Sequence, residues 1–228
     1  MSNIKRTVLY EDNHLLIVNK DAGEIVQGDK TGDTPLSEKA KLYIKEKYNK
    51  PGKVYLGVVH RLDRPTSGAL IFARTDKALS RLNKMLREHE IKKTYWVIVE
   101  KAPAIREGQL NNYLKKNPKN NKSYVVSKNT SGALEASLSY KHLASSDKYH
   151  LLEVKLHTGR HHQIRVQLSH ISCIIKGDLK YGAKRSNPDA SISLHARYLE
   201  FIHPVKKEKM TITAPVPKEA LWLFFEKL

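Results

Sequence analysis

The sequence is poor in cysteine and in long apolar stretches. Cys173 is its only cysteine, which excludes an internal disulfide and a zinc site built on cysteines. No run of about 18 apolar residues occurs, so we expect no transmembrane helix. No basic segment followed by an apolar one stands at the start, so we expect no signal peptide. These absences predict a cytoplasmic chain that does not enter a membrane.

Acidic residues are also scarce relative to basic ones. The chain has 23 Asp and Glu against 41 Lys and Arg, a formal net charge of +18. Such an imbalance indicates a polyanionic partner, most often a nucleic acid, with an anionic membrane surface as the competing interpretation. Hydrophobic residues make up 40% of the 228 residues. That share predicts a folded globular protein rather than a disordered one, with one large domain or two small ones.

The most distinctive stretch is HRLDRPTSG, His60–Gly68, which stands between two apolar runs with strand character. Its proline and glycine suit a turn, but a turn does not require Asp63 between Arg61 and Arg64. A carboxylate beside a cationic group stays ionised at neutral pH, as a nucleophile or a base must. The alternative is a surface turn with a solvated ion pair, because such pairs are common.

The whole stretch resembles the signature of the RluA-type pseudouridine synthases. In that family the aspartate of HRLD is the catalytic residue, so the resemblance implies that Asp63 starts the reaction. Matching blocks run in order from about Val8 to Pro217. Nothing like the S4-type RNA-binding domain of many relatives precedes the first strand. We therefore expect residues 1–228 to form a single catalytic domain, active as a monomer.

Two later blocks match the family as well. Lys-x-Tyr ends at Tyr95, inside a β-branched and aromatic run that predicts a buried strand. Tyr95 alone would be a core aromatic, whereas the resemblance implies that it lines the active site against the uracil ring. TGRHHQIR resembles the third motif, and its last arginine, Arg165, is implied to pair with Asp63. The family's usual histidine two residues later is Gln167 here.

The remaining motif residues are expected to shape the site or to contact RNA. They are His60, Arg61, Arg64, Thr66, Arg160 and His162. Three histidines within six residues of the third motif also suggest a metal site. We reject it, because no acidic ligand or cysteine lies at matching spacing, and histidine clusters in basic proteins more often form polar surface.

The opening block departs from the family. Lys20-Asp21-Ala22-Gly23 resembles a strand that runs into Asn-Lys-Pro-Ala-Gly, but Asp21 replaces the proline. Two interpretations of Lys20 therefore stand on equal terms, a residue of the motif or an ordinary surface lysine.

The pattern of apolar residues predicts an α+β fold. Strands alternate with helices over 35–49 and 76–90, a basic hairpin or exposed insertion over 101–132, and a short helix at the end. The resemblance implies a mixed, largely antiparallel central sheet, bisected by a catalytic cleft and flanked by helices.

The implied reaction is isomerisation of uridine to pseudouridine in ribosomal or transfer RNA. It involves no redox step and no external nucleophile, so we expect no cofactor. Asp63 either attacks the sugar or base, or removes a ribose proton, and both remain open. One alternative is a non-catalytic RNA-binding protein that keeps the fold. Another is an RNA nuclease, which needs a metal-binding carboxylate cluster or paired histidines that we do not find.

Overall fold

The computed structural model describes residues 3–29 and 31–228. In these residues the chain forms eleven β-strands, four α-helices and two short 3-10 helices, Asn3–Arg6 and Leu179–Tyr181. In chain order the strands and α-helices are β1 (Val8–Glu11), β2 (Leu15–Lys20), α1 (Leu36–Lys47), β3 (Gly57–Val58), β4 (Ser67–Ala73), α2 (Asp76–Arg87), β5 (Lys92–Val99), β6 (Glu107–Asn117), β7 (Lys122–Val126), β8 (Leu134–Ser145), β9 (His150–Leu156), α3 (Gln163–His170), β10 (Leu194–Ile202), β11 (Lys209–Thr213) and α4 (Ala220–Glu226).

The chain divides into two compact units. The first comprises the described residues up to Ile91 together with Ala196–Pro217, and the second comprises Lys92–His195 and Lys218–Leu228. The expectation of one catalytic domain over the whole chain stays a prediction.

The first unit is built on a sheet with β4 near its centre. The strand order is β1-β2-β4-β10, with β3 beside β4 and β11 beside β10. Strand β4 is buried along its whole length, which explains its continuous apolar run. Helix α2 packs Ala78, Leu82 and Met85 into the same core.

Gly68, the second residue of β4, has a conformation that only glycine adopts easily. Its φ is +119°, and a Cβ atom would lie 2.4 Å from the backbone nitrogen of Ala196. A side chain would clash with the backbone of the neighbouring strand, so the last residue of HRLDRPTSG is required for close packing as well as for the turn.

Two predicted helices end earlier than their apolar pattern suggests, at Lys47 and Arg87. Asn49 and His89 take left-handed φ values of 47° and 57°. After α2, the N–H of Glu90 donates to the carbonyl of Met85 at 2.9 Å, which closes a Schellman motif and stops the helix.

The second unit is an antiparallel meander with the strand order β5-β9-β8-β6-β7. The predicted basic hairpin is β6–β7, and β8 and β9 form the next antiparallel pair of the meander. A small core of Leu114, Ala136, Val166 and Tyr181 joins α3 to these strands. The α+β class with a largely antiparallel sheet is therefore confirmed. Among residues 3–29 and 31–228, no helix is long and apolar enough to cross a membrane.

Candidate active site

Asp63 lies in the loop that leads into β4. Its backbone carbonyl accepts the N–H of Thr66 at 3.0 Å, which closes a tight turn over residues 63–66. The Asp63 side chain is half-buried. The turn thus holds a carboxylate at the surface of the first unit, with access to solvent.

Lys20, at the end of β2, braces this loop from inside. Its ammonium is fully buried and donates to the carbonyl oxygens of Thr66 at 2.7 Å, Asp21 at 2.9 Å and Arg64 at 3.1 Å. Arg64 and Thr66 stand one and three residues after Asp63, so one side chain fixes the backbone of the turn. The surface-lysine interpretation of Lys20 is wrong.

The charge of Lys20 is perturbed by this position. Burial lowers its pKa to about 8, because the interior disfavours the charged form. Glu24 and Asp63 act in the opposite direction and raise the pKa. The ammonium of Lys20 is therefore an electrostatic neighbour of the Asp63 carboxylate within the first unit.

His60 and Thr66 make contacts within the first unit that hold the Asp63 loop in place. His60 Nε2 accepts the backbone N–H of Ile71 at 3.2 Å, which braces the loop against β4. The side chain of Thr66 is buried. Their predicted contacts with RNA stay predictions.

Arg61 and Arg64 both lie at the surface. Arg64 donates from Nε to the carbonyl of Gly23 at 3.0 Å and forms an ion pair with Asp33. Arg64 therefore ties the Asp63 turn to the segment after β2, and its contact with substrate stays a prediction.

Tyr95 is buried in β5, opposite Val154 of β9. Lys93 precedes it by two residues and so lies on the same face of the strand. Lys93 Nζ is 3.5 Å from the point where a Cβ of Gly159 would be, and burial lowers the Lys93 pKa. In the part of the chain that the structure describes, this ammonium has neither a hydrogen-bond nor an ion-pair partner.

Arg165 forms a two-point ion pair with Asp178. Nε donates to Oδ2 at 2.7 Å and Nη2 to Oδ1 at 2.8 Å, and both side chains are buried. The guanidinium also lies over the Tyr181 ring, with its Cζ 5.1 Å from the centroid. Asp178 accepts hydrogen bonds from two of the five N–H donors of Arg165. The ion pair with Asp178 therefore still allows Arg165 to bind a second carboxylate at the same time.

His162 is buried at the start of α3 with a left-handed φ of 55°. Its Nδ1 and the Tyr181 hydroxyl are 2.9 Å apart, and its ring stacks on His161 at 3.8 Å. Burial, and then the charge of Arg165, hold its pKa far below the ordinary value. The expectation of a polar surface cluster is wrong for His162, which is a neutral buried ring.

The loop before α3 is fixed by Gln163, while Arg160 reaches the surface. Gln163 Oε1 accepts the Thr158 hydroxyl at 2.8 Å and the Arg160 N–H at 2.9 Å. Arg160 Nε donates to the carbonyl of Glu135 at 2.8 Å. Gln167 is fully buried and donates to the carbonyls of β6 and β8, so this departure from the motif fills a structural position.

Sequence reasoning missed the roles of Asp178, Tyr181 and Lys93. Asp178 and Tyr181 lie within the range that matches the family, but nothing in the local sequence names Arg165 as the partner of Asp178. Within residues 3–29 and 31–228 no group of three or more His, Cys, Asp or Glu side chains is placed to hold a metal ion.

A family model described as RNA pseudouridylate synthase matches residues 14–170. The chain belongs to the RNA pseudouridylate synthase family. It is 34% identical to an uncharacterized RNA pseudouridine synthase of Synechocystis sp., over 99% of this chain and 68% of that protein. It is 31% identical to ribosomal large subunit pseudouridine synthase D of Zymomonas mobilis, over 97% of this chain and 73% of that protein.

The fold of this synthase family member is shared with a solved human structure, RNA pseudouridylate synthase domain containing 4. The TM-score is 0.80 at 23% identity, over 97% of this chain and 93% of that chain. The predicted site residues divide between the two units of the synthase. Asp63, His60, Arg61, Arg64 and Thr66 belong to the first, and the second holds Tyr95, Arg160, His162 and Arg165.

Proposed function

We propose that this chain isomerises uridine to pseudouridine in RNA, with Asp63 as the residue that starts the reaction. The observation that carries the proposal is the construction of the Asp63 turn. A fully buried lysine donates to the carbonyls of Arg64 and Thr66, one and three residues after the aspartate. A solvated surface turn needs no such brace, whereas a catalytic carboxylate must be held in one position.

The reaction breaks the bond between ribose C1′ and uracil N1, turns the base, and joins C5 to C1′. A proton leaves C5 and N1 gains one, so the product is an isomer and no cofactor takes part. Asp63 attacks the sugar or base, or removes a ribose proton. The proposed role of Tyr95 is to pack on the uracil ring, and that of Arg165 is to orient Asp63.

The proposed substrate is ribosomal RNA of the large subunit. Two relatives named for that RNA, from Zymomonas mobilis and Buchnera aphidicola, are 31% and 36% identical to this chain. The net charge of +18 suits an RNA partner. A uridine inside a stacked helix must be flipped out to react, at a cost of a few kcal/mol. Transfer RNA is the second candidate substrate class, and a non-catalytic RNA-binding role is not favoured.

The test compares RNA from cells with and without the gene, and in vitro activity of Asp63→Asn. We expect pseudouridine at one or more large-subunit positions to disappear in the deletion, and the variant to bind RNA without forming pseudouridine. The matched control is Asp147→Asn, at an exposed aspartate of the second unit, which should keep full activity. Pseudouridine formation by Asp63→Asn would overturn the assignment.

A further inference from the structure

The outward face of the β6–β7 hairpin carries an open cavity that the proposed chemistry does not use. Its volume is about 370 Å³, and it is lined by Lys115, Lys116, Asn117, Pro118, Tyr124 and Val126. The apolar part of this lining comes from a tyrosine, a valine and a proline, while lysines stand beside it. A flat apolar surface with cations beside it can bind a nucleotide, because the base stacks on the aromatic ring and the phosphate contacts an ammonium group.

Strand register places Lys115, Asn117 and Tyr124 of this lining on one face of the hairpin. Lys115 pairs with Tyr124, and Asn117 pairs with Lys122, across the antiparallel hairpin. Because side chains alternate along a strand, these four share one face. Ser123 is buried and lies on the other face of the hairpin. The exposed face is therefore separate from the face that packs on the core.

The hairpin is strongly and uniformly basic. Between Lys115 and Lys128 the sequence has five lysines, at positions 115, 116, 119, 122 and 128, and no acidic residue. In the described part of the chain no carboxylate forms an ion pair with these five lysines. A solvated charge run does not need an aromatic side chain among its lysines, and here one is present.

Tyr124 exposes part of its ring on this face. It is 40% exposed, and its hydroxyl accepts a hydrogen bond from Asn120 Nδ2 at 2.8 Å. Lys122 Nζ lies 5.5 Å from the centre of its ring. The ring is thus held in place by a neighbour and leaves part of its surface uncovered.

We propose that this face binds an unpaired nucleotide of the substrate RNA, whose base stacks on Tyr124 while Lys115 and Lys119 contact the adjacent phosphates. The identity of the RNA rests on the proposed function. The stacking requirement favours a single strand, because bases within a duplex have no free face.

The inner face of the hairpin ties this anchor to the third motif. The N–H of Ser123 donates to the Tyr181 hydroxyl at 2.8 Å, and its Oγ is 2.8 Å from His161 Nδ1. Lys180 Nζ donates to the carbonyl of Asn121 at 3.2 Å, which holds the tip. RNA bound outside is therefore held at a constant position relative to Arg165 and Tyr181 within the second unit.

The test measures binding of two RNA probes by fluorescence anisotropy, an oligouridylate of about 15 nucleotides and a duplex of the same length. Tyr124→Ala should weaken binding of the oligouridylate about tenfold and change duplex binding little, while Tyr124→Phe keeps wild-type affinity. The double variant K115Q/K119Q should weaken the binding of both probes. For the single strand, the slope of log affinity against log salt concentration should become smaller in magnitude by about 1.4. All variants change exposed side chains, and a thermal melt checks that they fold.

Matched controls lie in the first unit. Tyr55 is 46% exposed, so Tyr55→Ala removes a similar ring elsewhere, and K45Q/K50Q removes two exposed charges near the end of α1. The proposal would be overturned if Tyr124→Ala bound the oligouridylate with an affinity within twofold of that of Tyr55→Ala. It would also be overturned if Tyr124→Ala lost as much affinity for the duplex as for the oligouridylate. Oligomer binding needs no turnover, so this result is independent of whether the chain forms pseudouridine.

Discussion

Arg165 and Asp178 form a buried, two-point ion pair within the second unit, with N···O distances of 2.7 and 2.8 Å. The planar fork of a guanidinium matches the two oxygens of a carboxylate, and both partners have lost their hydration. Asp178 therefore orients the arginine of the third motif. This relationship leads to the first two predictions.

Asp178→Asn should destabilise the protein severely. The change keeps the shape of the side chain but leaves the Arg165 charge buried without its carboxylate partner at Asp178, a loss of about 3–5 kcal/mol in the free energy of unfolding. Urea unfolding followed by circular dichroism measures it. The control is Asp33→Asn, which breaks an exposed ion pair with Arg64 and should cost less than about 1 kcal/mol. Equal stability of the two variants would show that the buried pair is not stabilising.

Arg165→Lys should lower the rate of pseudouridine formation far more than it weakens RNA binding. An ammonium keeps the charge but cannot make two parallel hydrogen bonds to Asp178, so the group loses its orientation. We expect a loss of roughly a hundredfold, on the scale of one misplaced catalytic group. Single-turnover kinetics at saturating enzyme separate the chemical step from binding.

The control for this variant is Arg74→Lys. Arg74 forms a buried ion pair with Glu11 in the first unit, so its replacement tests a buried arginine that has no proposed role in the reaction. It should lower stability and leave the rate unchanged. A wild-type rate in Arg165→Lys, with weaker RNA binding, would make Arg165 a phosphate contact instead.

Lys20→Met should destabilise the Asp63 turn, and the size of the effect should depend on pH. The variant leaves the carbonyls of Asp21, Arg64 and Thr66 without this donor, a loss of about 1–3 kcal/mol at neutral pH. In the folded protein the pKa of Lys20 is about 8, against an ordinary 10.5. Between these values the unfolded chain binds more protons than the folded one, so the contribution of this group to stability rises as pH rises.

The free energy of unfolding of Lys20→Met should therefore be lower than that of the wild type by an amount that grows as the pH is raised from 8 toward 10.5. Urea titrations at a series of pH values measure the difference between the two proteins. Lys39→Met, at a lysine that pairs with Glu24 near the surface, is the control and should show a nearly constant difference. A difference for Lys20→Met that does not change with pH would contradict the lowered pKa.

Lys93→Met should lower the affinity for RNA without lowering the free energy of unfolding. Lys93 is half-buried, its ammonium lacks a partner among the described residues, and burial lowers its pKa. Removing an uncompensated charge should leave the free energy of unfolding unchanged or raise it by about 1 kcal/mol. If this ammonium meets RNA beside Tyr95, affinity should fall roughly tenfold, as for one hydrogen bond to a charged group.

The control is Lys155→Met on the neighbouring strand β9, where the lysine is 61% exposed. Its effect on both stability and RNA affinity should be small. A Lys93→Met protein that is less stable yet binds RNA normally would show that the lysine packs the sheet and has no ligand. Thermal melts and anisotropy with the same RNA measure the two quantities.

Much of the fold could be predicted from local patterns. Strand β5 and the buried face of α2 follow from spacing, because a strand repeats every two residues and a helix every 3.6. The ends of α1 and α2 could not be read in the same way. They depend on left-handed residues, Asn49 and His89, which the apolar pattern does not distinguish from helical ones.

By itself the sequence determined the type and order of most elements, the stretch HRLDRPTSG and the excess of positive charge. These depend on neighbouring residues or on composition. Only the tertiary structure decided that Lys20 is buried under the Asp63 turn, 46 residues before the carbonyl of Thr66, and that Asp178 is the partner of Arg165. A surface lysine and a buried one have the same local sequence, because burial is decided by which distant segments pack around the side chain.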